Sequence, residues 1–146
     1  MPEQKTLERA RRDAAQGKSA SSQAGEFVRE QIHHIREGKH GARSTKQAIA
    51  IGLSEARRAG VALPPPRGRG KVSRKARQDI AAGKTRHRVS SARSRSTLGA
   101  LKKESRSAAS HRALSRQAKQ AARKRSAGAR SRAAKKAAAT RRRRRT

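Results

Sequence analysis

Large apolar side chains recur at helical spacing in only a few places along the chain, and each place has punctuation at its ends. Ala24, Val28, Ile32 and Ile35 fall on one face with Phe27 beside them, which predicts a helix from Ser22 or Gln23 to about Glu37, ended by Gly38. The stretch from Ala42 to Gly60, ARSTKQAIAIGLSEARRAG, predicts the next helix. Ser44 stands as its N-cap with Gln47 three residues on, a capping box ahead of an apolar run. Ile49, Leu53 and Ala56 make its stripe, and Ala48 and Gly52 lie beside it, small enough for a neighbouring helix to come close. Gly60 followed by Val61 is the order of a Schellman motif, and the run Leu63-Pro64-Pro65-Pro66 forbids continuation. Between the two helices, KHGAR is a short turn that returns the second as an antiparallel or steeply crossed neighbour.

The remaining pattern is thinner. Residues 3–16, EQKTLERARRDAAQ, are good helix formers with Gly17 as a stop, but their stripe is only Leu7, Ala10 and Ala14. A short helix is expected from Ser73 to Ala82, ended by Gly83. Its sequence ARQDIAAGKT (76–85) echoes ARRDAAQGKS (10–19), either a duplicated helix end or the common habit of Ala/Arg-rich helices to close in Gly-Lys. From Arg86 onward the alphabet narrows to Arg, Lys, Ser, Ala and Gly with scattered leucines, and no acid follows Glu104.

Charge changes this picture. The formal net charge is +32 and only 1% of the residues are aromatic, while the 32% hydrophobic fraction is largely alanine. Up to Leu63 the net charge is +5; beyond it, 29 Lys/Arg face two acids. Low hydrophobicity with high net charge predicts disorder, because too little apolar area is buried to offset chain entropy. The expected architecture is therefore mostly α, a short N-terminal helical module of two to three helices and then a largely disordered basic arm with conditional helices. The boundaries follow from composition: 1–63 helical module, 64–72 Pro/Gly/Arg-rich linker, 73–85 short helix, 86–146 arm. About ten large apolar residues in 1–63 are a thin supply for an isolated domain, so Phe27, Val28, Ile32, Ile35, Ile49 and Leu53 are expected to serve helix packing or homodimerisation.

Clustered Lys and Arg point to nucleic acid, since neutralising phosphates releases condensed counterions and yields sequence-independent affinity. The cations expected to carry it are Arg67, Arg69 and Lys71 in the linker, then Arg112, Arg116, Lys119, Arg123, Lys124 and Arg125, then Arg141, Arg142, Arg143, Arg144 and Arg145. Four of them, Arg112, Arg116, Lys119 and Arg123, repeat at i, i+4, i+7 and i+11 and form one stripe if the segment is helical. Mutual repulsion is expected to keep that segment unfolded until phosphates relieve it. One phenylalanine and no Tyr or Trp leave no stacking platform for unpaired bases, so duplex DNA is favoured over RNA. The helix pair from Gln23 to Gly60, with Arg43, Lys46 and Gln47 at the start of its second helix, reads either as a base-contacting pair or as a docking module.

Other chemistry is not supported. GKS at 17–19 and AGKT at 82–85 lack the glycine of a phosphate loop, whose places hold Arg12 and Gln78. Without cysteine there is no thiolate zinc site or disulfide, and of the five histidines only His34 and His40, with Glu37, gather near one turn. No G-x-S-x-G elbow and no outstanding carboxylate pair exist, so the expectation is a non-enzyme with no cofactor, no metal and no small-molecule substrate. The runs SARSRS, ESRS and ARSR are candidate phosphorylation sites or plain serine spacers. Neither an apolar leader nor a window near the roughly 20 apolar residues of a membrane span is present, giving a cytoplasmic expectation.

The segment REGKHGARSTKQAIAIGLSEARRAG resembles a family of small basic bacterial proteins of an uncharacterised domain, with the motif S-x-K-Q-A-I-A-I-x-L-S-[EK]-A-R. Here it falls on Ser44, Lys46 to Ile51, Leu53, Ser54 and Glu55 to Arg57, with Gly52 where alanine is expected. The resemblance extends loosely over residues 1–66 and implies a bacterial provenance. The arm is similar in composition to the tails of bacterial linker-histone-like proteins, though richer in Arg than Lys and poor in proline. Together these readings give a nucleoid-associated, histone-like DNA-binding protein acting by phosphate neutralisation. The alternatives are an RNA- or ribosome-associated basic protein, or an adaptor whose helix pair binds a protein partner.

Overall fold

In the computed structural model, which describes residues 2–85 and 90–143, the chain runs α1 (Gln4–Ala15), α2 (Ala20–Glu37), α3 (Thr45–Arg58), α4 (Lys71–Lys84), α5 (Ser91–Lys102), a 3₁₀ turn (Arg106–Ala109), α6 (His111–Arg123) and α7 (Ala127–Arg143). It divides into two units, Met1–Ser110 and His111–Thr146.

Local chemistry sets the first three helices. Ser19 caps α2 by accepting the Ser22 N–H, so the helix starts at Ala20, ahead of the Ser22 or Gln23 start read from its apolar stripe. At α3 the Ser44 hydroxyl accepts the Gln47 N–H at 3.2 Å, while the Gln47 side chain accepts the Arg43 N–H at 2.7 Å, one residue outside the reciprocal position of a standard capping box. The exit of α3 is a full Schellman motif: Gly60 takes φ +91°, its N–H donates to the Arg57 carbonyl and the Val61 N–H to that of Ala56.

The core of the first unit is small in volume and built on close approach. Ala10, Ala24, Phe27 and Ala56 are buried together, with Leu7, Leu53, Val61 and Leu63 packed against them. A β-carbon on Gly52 would sit 2.6 Å from the Val28 Cα, so glycine there lets the α2 and α3 backbones nearly touch. Arg57 is buried and reaches the carbonyls of Leu63 and Pro64, both at 3.4 Å, which folds the proline run back along α3.

The fourth helix packs without a large apolar stripe. Ser73, Ala76 and Asp79 are its buried residues, and Asp79 accepts the Ser54 hydroxyl at 2.7 Å while pairing with Lys75 and Arg58. Gly83, expected to end the helix, lies inside it. An added β-carbon would meet the Arg57 carbonyl oxygen at 2.4 Å, so this glycine serves the α3–α4 contact. The two echoing segments therefore differ: Gly17 has φ +66° and terminates α1, whereas Gly83 continues α4.

The disordered arm expected over 86–146 is corrected: the described residues from 90 to 143 are mostly helical. Residues 86–89 and 144–146 lie outside the described residues. Repulsion within the α6 stripe is worth only about 0.2–0.5 kcal/mol per i,i+4 pair, while Ala, Arg, Lys and Gln are among the best helix formers and no Gly or Pro interrupts 111–123. Serines supply starts that composition alone concealed: Ser90 accepts the Arg93 N–H, Ser105 that of Ser107 and Ser126 that of Ala129. Part of the arm also belongs to the first unit. Gly41 and Ala42 donate their N–H groups to the Leu101 and Ser105 carbonyls, and Thr45 donates its hydroxyl to Ala108 at 2.7 Å.

Candidate functional site

The predicted nucleic-acid residues divide between the units. Arg67 and Arg69 are exposed in the bend between Pro66 and α4, with Gly68 at φ +102°, and exposed Lys71 is the first residue of α4. All the others belong to the second unit, which holds fifteen of the 41 Lys/Arg and none of the nine acids. On α6 the exposed residues Arg112, Arg116, Lys119 and Arg123 share one face, and Ala113, Leu114 and Ala121 lie toward the other. Lys124 and Arg125 follow the helix, and Arg141, Arg142 and Arg143 fill the last turn of α7, where cations complement the helix dipole. Arg144 and Arg145 lie outside the described residues.

In the first unit, by contrast, cations meet carboxylates: Lys18 with Asp13, Arg29 with Glu26, Lys39 with Glu3 and Glu37, Lys75 and Arg58 with Asp79. The predicted packing residues also differ in fate. Phe27, Ile32 and Ile35 are buried inside this unit, and Val28, Ile49 and Leu53 are half-buried. At the start of α3, Arg43 and Lys46 are exposed, Gln47 is engaged in the cap, and Thr45 is buried beneath the 3₁₀ turn.

A second site escaped sequence reasoning. Glu30 and His34, one turn apart on α2, meet Glu3, which precedes α1. The Glu3 N–H donates to Glu30 Oε1 at 2.9 Å, His34 Nε2 lies 2.9 Å from Glu3 Oε1 and 3.8 Å from Glu30 Oε1, and Lys39 Nζ lies 3.1 Å from Glu3 Oε1. Hydrogen bonds from His34 and then Lys39 hold the Glu3 carboxyl down at about 2. Bonds to Glu37 and Glu3 in turn raise the Lys39 ammonium. Beside this cluster His40 is buried, with Nε2 3.1 Å from Gln31 Oε1, and Gln31 donates to Glu55 at 2.8 Å. Burial, and then the negative charge of Glu30, push the Glu55 carboxyl up. The grouping of His34, His40 and Glu37 is only partly met: the two rings stand edge to face at 6.1 Å, while Glu37 pairs with His33 and Lys39. The E-x-x-x-H spacing of 30 and 34 was the available signal, and Glu3, 27 residues earlier, was not.

Residues 4–67 match the model of a family of unknown function, DUF6496. No curated protein and no solved structure matches the chain. The match ends at Arg67, so α4 to α7 and the basic stripe lie beyond it. Among the described residues, no helix is long and apolar enough to cross a membrane.

Proposed function

We propose that this chain is a non-enzymatic protein that binds duplex DNA through its phosphates with little sequence preference. The observation that carries the reading is the exposed α6 stripe within a unit that has no Asp or Glu to neutralise it. Its cations rise about 4.5–6 Å apart along the helix axis, against a duplex that carries one negative charge per roughly 1.7 Å. Such contacts position a protein on the backbone and read no bases. The motif at Ser44 to Arg57 supports a bacterial setting, and with it a place among nucleoid proteins.

Salt dependence tests the proposal. If about ten phosphates are neutralised, log K for the full chain on a short duplex falls with log salt at a slope of roughly −9, and replacing Arg112, Arg116, Lys119 and Arg123 by Gln makes it shallower by about 3.6. A wild-type slope shallower than about −3 overturns the phosphate-driven model. Competition with structured RNA is run alongside: preference for RNA at matched charge moves the protein to the RNA-associated class.

A further inference from the structure

We propose that Glu3, Glu30 and His34 form a binding site for a divalent transition-metal ion of the zinc class. The site lies in the first unit and does not depend on the DNA-binding reading.

Each of the three residues offers one donor atom, and these atoms all lie within 4.8 Å of one another. Two come from one face of α2, so the helix fixes their spacing. The third is set by the backbone, because the Glu3 N–H is itself bonded to Glu30 Oε1. A set drawn from one rigid helix and one tied-down segment needs little rearrangement to close on an ion.

The independent sign of a missing partner is Glu30. This residue is only 6% exposed, and its Oε2 is buried with no hydrogen-bond partner among the described residues. A carboxylate out of water with one oxygen unanswered is unfavourable. A cation held by Glu30 would answer that oxygen, and neither Lys39 nor His34 does so. Lys39 meets Glu3 and Glu37 at the solvent side, where its side chain is half exposed. His34 is 3.8 Å away from the other oxygen, Oε1. Charge points the same way. In a chain with nine acids, Glu3 and Glu30 converge here, and Glu37 and Glu55 stand next to them.

The donor set selects the metal. One imidazole nitrogen with two carboxylates suits zinc, cobalt or manganese, whereas magnesium and calcium prefer oxygen alone. Three protein ligands leave a fourth tetrahedral position to water.

The test uses the full chain, freed of nucleic acid by nuclease and of metal by chelation. Titration calorimetry with Zn²⁺ is expected to give one ion per chain, and Co²⁺ the visible absorption of a tetrahedral site. Glu30→Gln and His34→Gln should each weaken Zn²⁺ at least about tenfold. Exposed His33, changed to Gln, should leave binding intact, and excess Mg²⁺ should not compete. Absence of Zn²⁺ binding by the wild type, or binding unchanged in His34→Gln, overturns the site. If Glu30→Gln fails to fold by circular dichroism, His34→Gln decides alone, because His34 is not among the buried core residues.

Discussion

Helices α2, of 18 residues, and α6, of 13, are ordered by opposite means. In α2 six residues are buried, among them Phe27 and Ile35, and the helix is held by what it packs against. In α6 no residue is buried, and its order comes from alanine, arginine, lysine and glutamine, residues that favour helix by themselves. The comparison separates two sources of order that composition blurs. Burial fixes where a helix lies; propensity fixes only that it is a helix, and leaves its charged face open for a partner.

The largest expected effect breaks the first half of this contrast. Phe27→Ala empties the centre of the α1–α3 core and should cost about 3–5 kcal/mol, read as a fall in the melting of the first unit. The salt slope for duplex binding should not change with it; a slope that collapses as well would show that the stripe depends on the packed unit.

Ala118→Pro breaks the other half. The ring removes an N–H from the middle of α6 and clashes with the Leu114 carbonyl, about 3 kcal/mol against the helix. Net charge stays the same while the stripe is scattered. Duplex affinity at fixed salt should drop, and an unchanged affinity would mean that the number of cations suffices without their alignment.

The smallest effect sharpens the polar part of the first unit. Glu55 is raised by burial and by Glu30, so its folded pKa exceeds the unfolded one and its ionisation opposes folding as pH rises through the folded value. Glu55→Gln should therefore raise the melting temperature at pH 7 and give no gain near pH 4.

Large apolar side chains and their punctuation made α2 and α3 legible, down to the Schellman exit at Gly60 and the close approach at Gly52. What composition concealed follows from two physical facts. Helix α4 was expected from Ser73 to Ala82, but it packs through Ser73, Ala76, Asp79 and Gly83, a face with no large apolar residue, so the pattern did not show which side is buried. The arm was misread as disordered because net charge was weighed over the whole segment, whereas helix formation is decided locally, by propensity and by caps such as Ser90 and Ser126. The stripe on α6 was readable from spacing. The meeting of Glu3 with Glu30 and His34 was not, because it arises from the fold of α1 against α2.

Gly52 works as a gauge block between α2 and α3. A chain with alanine at this position must widen the pair by about an ångström to turn a 2.6 Å approach into an ordinary contact of 3.4 Å or more. Because the atoms in the way are backbone atoms of Phe27 and Val28, no side-chain change on α2 can make the room, and only the separation of the two helices can.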